Sequence, residues 1–366
     1  MRKFTVSALC ACSILLMPAA AITESRAAAQ DIATAHADEV ARLKDYFKQG
    51  DFNYVVESLE AVKSKSPEQH NMLISALMNI DLDDAEEAAE QFIQDYSDNY
   101  KAYHTHASVM GAQASSSIFS ALGYAKKAKE SLEKAVEIAP EEVAVYQALM
   151  QFHLMAPSIA GGDMDEAMTL AQTISKLDAT EGRFALAKVY LEKDKQAEAE
   201  AIFASLIEDD STQIRARVEL GSFYLGNEQY AASYDTLLPL SDTDVAAVSK
   251  ADTEAWDIYQ ERKASLMYGK YRLGQVAVES GEYTTSGINA LKSYLEDYQI
   301  ATIDTEGLPT ANWAQLRLAE LLLNADKVNE AQNVVEAIEE DKDERFAKTL
   351  KKIKKALKSE LRPNTA

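Results

Sequence analysis

The chain has 366 residues, 37 basic and 59 acidic side chains, and a formal charge of −22. That balance excludes a nucleic-acid partner, because phosphate binding needs a cationic surface. Thirteen glycines and seven prolines are about half the usual share, which excludes a turn-rich all-β protein and a disordered or collagen-like chain, while 47% apolar residues supply a core.

The N-terminus reads as a secretory signal peptide. Met1-Arg2-Lys3 is a short positive start, Phe4 to Met17 is apolar, Pro18 breaks the run, and Ala19-Ala20-Ala21 is a small-x-small cleavage site. Cleavage is expected after Ala21, with Ala29 as the alternative end. The apolar run is shorter than the ~20 residues that span a bilayer, and no later stretch is apolar enough to do so. Cys10 and Cys12 are the only cysteines, and both precede the cleavage site. The mature chain is therefore expected to lack disulfides, zinc–thiolate sites and cysteine nucleophiles. These features predict an exported protein, periplasmic if the source is Gram-negative.

Helical signals begin at Val40. The unit VARLKDYFKQGDFNYVVESLEAVKSKSP, Val40 to Pro67, has Val40, Leu43 and Phe47 at helical spacing, then Gly50-Asp51 as a breaker. Val55, Leu59 and Val62 mark a second amphipathic helix, and Pro67 closes the unit. The position of Val55 returns at Ala88, Ala128, Ala167, Ala199 and approximately Ala232, at spacings of 33, 40, 39, 32 and 33. Two spacings are long because 114–120 and 156–162 are inserted. Pro140 repeats Pro67, and Ala128, Leu132 and Ala135 are packing positions. Leu220-Gly221 with Tyr224, and Leu273-Gly274 with Gly281 and Tyr283, repeat first-helix and turn signals. The last unit carries Leu318-Ala319, Leu322, Ala331 and Val335. Ser241 to Tyr298 is irregular, with one long helix.

Helical hairpins returning at a spacing near 34 resemble the tetratricopeptide repeat, over about 300 residues. The resemblance implies an all-α, right-handed superhelical solenoid of about eight hairpins across residues 31–341, whose stacked neighbours bury faces that no hairpin buries alone. Residues 342–362 are expected to form a basic amphipathic capping helix. Phe346, Leu350, Ile353, Leu357 and Leu361 mark its apolar face, and Lys348, Lys351, Lys352, Lys354, Lys355 and Lys358 its other face. That segment holds nine basic against three acidic residues, so the array itself carries about −30 after signal removal.

Signals for chemistry are sparse. The histidines are His36, His70, His104, His106 and His153. His104 and His106, two apart on a helix, face away from each other and cannot chelate together. His153 falls at a first-helix packing position. Paired carboxylates such as Asp83-Asp84 and Glu339-Glu340 read as solvated helix faces. There is no phosphate-binding glycine loop and no dinucleotide fingerprint, so neither an enzyme nor a cofactor is expected. In the loop Ala156–Asp163, Pro157 stops a helix, Gly161 and Gly162 permit an unusual turn, and Asp163 caps the next helix with Glu166 completing a capping box. The same glycines alternatively expose amides as a small anion site, which Asp163, Asp165 and Glu166 oppose.

In the family that this chain resembles, the first helix of each hairpin lines a groove that binds a protein or peptide. That places Lys44, Gln147, Gln151, Lys188, Arg215 and Ser222 on the groove, an inner surface less negative than the outer one and suited to an acidic or extended polar segment. The expected function is a non-catalytic exported scaffold. The alternative is a small-molecule-binding accessory of a transport system, with a pocket near Pro157–Gly162.

Overall fold

A computed structural model describes residues 40, 42–47, 49–116, 119–305, 307–339 and 343–360. The segment expected to be a signal peptide, residues 1–21, lies outside them. The described residues contain helices and no strand. The chain divides into two compact units, Met1–Ala139 and Pro140–Ala366, so the repeat array is split after its third hairpin.

In the first unit, residues 42–47 are helical and turn at Gly50, whose φ of +75° is a left-handed conformation suited to glycine. Helix α1 (Phe52–Glu60) completes that hairpin. The second hairpin is α2 (Pro67–Leu77) with α3 (Leu82–Asp95), and the third is α4 (Tyr100–Ser116) with α5 (Ala121–Ile138). Local chemistry sets the helix starts. Ser66 and Gln69 form a reciprocal capping box with Pro67 at the first helical position, and Asp81 accepts from the amides of Asp83 and Asp84. Part of the acid content is therefore helix caps.

The second unit continues with α6 (Val143–Met155) and α7 (Met164–Leu177), then α8 (Ala179–Glu192) and α9 (Gln196–Ile207). Next come α10 (Gln213–Gly226) and α11 (Tyr230–Leu237). Helix α12 (Thr253–Ser280) is the expected long helix, and pairs with α13 (Thr284–Gln299). Helices α14 (Ala311–Asn324) and α15 (Val328–Glu336) form the last hairpin. Helix α16 (Glu344–Glu360) packs on α14 and α15 through buried Phe346, Ile353 and Leu357, with Leu350 partly buried and its lysines exposed. Leu361 lies outside the described residues. The result is an α-solenoid of helical hairpins closed by a capping helix.

The second-helix register needs two corrections. The fully buried position in α3 is Ala85, followed by Ala89 and Phe92, whereas Ala88 is only half-buried. In α11 it is Ser233, followed by Leu237 and Leu240. Serine fits there because its hydroxyl donates to the Gly221 carbonyl at 2.7 Å, which removes the penalty of burying it. The spacings from Val55 then become 30, 43, 39, 32 and 34.

Candidate functional site

First helices of the second unit share one frame. A buried small position recurs at Ala187, Gly221, Gly274 and Ala319, and His153, 2% exposed, takes the same place in α6. Six residues earlier on each helix stand Gln147, Glu181, Arg215, Tyr268 and Trp313. One turn further on stand Gln151, Ala185, Glu219, Arg272 and Arg317.

Across α6, α8 and α10 the first of these rows is bonded side to side. Gln147 Nε2 donates to Glu181 Oε2 at 2.7 Å. Arg215 Nη1 and Nη2 donate to Glu181 Oε1 and Oε2 at 2.6 and 3.1 Å, a bidentate pair. Arg215 Nε donates to Glu219 Oε1 at 2.8 Å, and its guanidinium lies 3.9 Å from the Phe184 ring centroid. Burial disfavours the Arg215 charge. The Glu181 hydrogen bond and the nearby Glu219 carboxylate outweigh it and hold the guanidinium above its ordinary pKa. The spacing 147, 181, 215 carries the repeat of 34 directly into side-chain contacts.

On α12 and α14 the same places hold aromatic–arginine pairs. Arg272 stacks over Tyr268 at 4.8 Å and donates to Gln275 at 2.9 Å; Arg317 lies 5.8 Å from the Trp313 centroid and donates to Glu320 at 2.9 Å. In both arginines Nε is buried without a hydrogen-bond partner. The ionic cross-link between α12 and α13 is made elsewhere, by Lys263 and Lys270 on Asp297 at 2.8 and 2.7 Å. Burial pushes the Asp297 carboxyl up, but the two lysines outweigh it and hold its pKa below the ordinary value.

Of the expected groove residues, Gln147 and Arg215 are brought together through Glu181. Arg215 is engaged by the Glu181 and Glu219 carboxylates. Gln151 and Lys188 are half-buried on α6 and α8, and no ion pair or hydrogen bond involves Lys188 among the described residues. Ser222 Oγ is buried with no hydrogen-bond partner. Lys44, in the first unit, donates to Glu68 at 2.9 Å, where both side chains are at least half exposed. Sequence reasoning missed Glu181, Glu219 and Phe184. The signal for Glu181 was its place 34 residues from both Gln147 and Arg215.

The loop before α7 behaves as a turn. Gly161 has a φ of +95°, and a Cβ on Gly162 would sit 1.7 Å from the Ala156 carbonyl oxygen, so both positions require glycine. Their amides donate to the carbonyls of Ser158 and Pro157 at 3.0 and 3.2 Å, which spends the donors an anion site needs. Asp163 caps α7 through the Asp165 and Glu166 amides. An open cavity lies far along the chain from this loop, lined by residues of α12, α14 and α16.

In the first unit, His106 Nδ1 lies 2.8 Å from Ser131 Oγ, and His70 Nε2 lies 3.1 Å from Asp95. These are partners that no sequence motif announces. His106, Ser131 and His70 are all less than a tenth exposed, and His70 stacks on Phe92 at 4.8 Å. They sit as core contacts. No group of three or more His, Cys, Asp or Glu residues that could hold a metal ion occurs among the described residues, and none of the described helices is long and apolar enough to cross a membrane.

Comparison with solved structures places the fold. The chain resembles yeast Tom70 with a TM-score of 0.53 at 14% identity, covering 88% of this chain and 61% of that one, so it spans about three-fifths of Tom70. A thermophilic TPR protein of Thermus thermophilus matches with a TM-score of 0.41 at 18% identity, over 51% of this chain and 97% of that one. No family model matches the sequence. No curated protein matches it either. At these identities the likeness is one of fold: an α-solenoid of tetratricopeptide-type hairpins.

Proposed function

We propose that this chain is an exported, non-catalytic scaffold that binds a protein or peptide partner along the first-helix face of its second unit, in the periplasm if the source is Gram-negative. The observation that carries the reading is the 34-residue register of Gln147, Glu181 and Arg215. Side chains at one repeat position form a continuous polar strip, which suits an extended segment better than a point ligand. Gln151, Lys188 and Ser222 stand on the same helices, with Gln151 and Lys188 half-buried. Export rests on the N-terminal pattern ending at Ala21.

A crosslinking pull-down from the intact envelope tests this. Wild-type protein should retrieve a defined protein partner. A Gln151→Glu plus Lys188→Glu variant, folded by circular dichroism, should retrieve it about tenfold less well, since charge reversal at a complementary surface costs more than about 1 kcal/mol. Equal recovery by the variant contradicts the groove. A mature N-terminus at Met1 contradicts export.

A second reading, a small-molecule-binding accessory of a transport system, is favoured by one observation. A cavity of about 350 Å³ lies in the second unit, at the low end of ligand-site volumes. It is not near Pro157–Gly162, where the sequence placed it.

A further inference from the structure

The cavity is walled by Tyr271 of α12, Pro309 of the loop before α14, Trp313 and Arg317 of α14, and Arg345 and Thr349 of α16. Among the described residues none of those that line it is acidic, although Glu320 and Asp343 bond its two arginines. Three rigid apolar surfaces face it, and Trp313 is fixed by an edge contact with Phe346 at 5.2 Å. Two guanidiniums face it as well. Arg317 is held by Glu320 and lies against the Tyr271 hydroxyl, yet its Nε is buried and unbonded. Arg345 is loosely placed: it bonds Asp343 at 3.3 Å with its side chain 88% exposed, the kind of surface pair that contributes little and exchanges readily. The exposed lysines of α16 add positive potential beside the cavity on an otherwise acidic chain, which draws an anion to this end.

We propose that this cavity binds a small free carboxylic acid with a flat apolar body. The body lies against Trp313, Tyr271 and Pro309, and the carboxylate meets the exposed guanidinium of Arg345, with Arg317 adding positive charge behind it. A guanidinium fork matches the two oxygens of a carboxylate, and ring walls favour a planar apolar group over a sugar or a hydrated ion. The proposal develops the second reading above. Its failure leaves the scaffold reading untouched, because none of these residues belongs to the Gln147–Glu181–Arg215 strip.

The test uses the full-length mature protein with Trp256→Phe, so that Trp313 is the only tryptophan left. 3-Phenylpropionate is titrated while Trp313 emission is followed, with 3-phenylpropionamide and an N-acetylated peptide ending in phenylalanine as separate arms. Saturable binding of the acid is expected, with the amide about tenfold weaker, the loss expected for an unmade charge-assisted pair, and the peptide weaker because its chain is too bulky for a cavity of about 350 Å³. Arg317→Met should weaken the acid about tenfold and Arg345→Glu at least as much. Arg345 is exposed, so Arg345→Glu reports on binding even if Arg317→Met disturbs the fold. Absence of saturation by the acid at millimolar concentration, equal binding of the amide, tighter binding of the peptide, or unchanged affinity in Arg345→Glu overturns the proposal.

Discussion

The first helices α6, α8 and α10 and the first helices α12 and α14 place different chemistry on the same two repeat positions. In the earlier set, Arg215 lies between Glu181 and Glu219, and its five donors are largely spent on carboxylates. In the later set, Arg272 and Arg317 stack on Tyr268 and Trp313 and keep unbonded nitrogen edges. Between α12 and α13 the interhelix ionic contact is made by a different cluster, Lys263 and Lys270 on Asp297. One repeat frame therefore yields a cross-bonded strip that joins hairpins and aromatic–arginine pairs whose Nε atoms are unbonded. Composition alone cannot separate these, since both sets contain arginine.

Five substitutions probe the comparison. The largest effect belongs to Asp297→Ala, which leaves Lys270, 6% exposed, and Lys263 without their carboxylate. A loss of about 3 kcal/mol is expected by urea denaturation, because breaking a buried pair strands a charge. The same group gives a pH signature. Its folded pKa lies below the ordinary aspartate value of 3.8, so the folded state binds fewer protons there than the unfolded chain. Its stabilisation is complete above that value and is lost as pH falls through the folded pKa. Asp297→Asn should remove that part of the acid dependence.

Next in size, Arg215→Met should cost about 2 kcal/mol, since Glu181 and Glu219 then face each other unneutralised, whereas Arg272→Met should cost less than about 1 kcal/mol, the worth of one stacked pair. Equal losses would mean that the two regions do not differ as described. The smallest effect concerns the turns. Between α10 and α11 the left-handed position is Glu228, at φ +58°, while between α12 and α13 the corresponding position is Gly281, at φ +71°, followed by Tyr283 at φ +54°. Glu228→Gly should raise stability by about 0.5 kcal/mol, the relief of left-handed strain less the entropy that glycine adds to the unfolded chain. A lower melting temperature would contradict that.

Much of the fold was legible because breakers and apolar spacing are local signals. Gly50-Asp51, Pro67 and the apolar face of α16 each mark an element that the structure contains. The register was less legible. Ala85, Ala88 and Ala89 are all small, and only the Asp81 cap, which fixes where α3 starts, selects Ala85. Ser233 was passed over in favour of Ala232 because a buried serine looks unfavourable until its bond to the Gly221 carbonyl is seen. The site was the least legible. In a chain this acidic, Glu181 resembles any solvated carboxylate, and only its 34-residue distance from Gln147 and Arg215 distinguishes it. The cavity joins α12, α14 and α16, whose residues span 271–349, so no short motif encodes it.

The proposed partner site is the first-helix face of the second unit. The most direct measurement introduces a photo-crosslinking side chain at Gln151 on α6 and, separately, at exposed Gln172 on the second helix α7, in cells exporting the protein. The account predicts a discrete protein adduct from position 151 and none from position 172. Adducts of equal yield from both positions, or from position 172 alone, would contradict it.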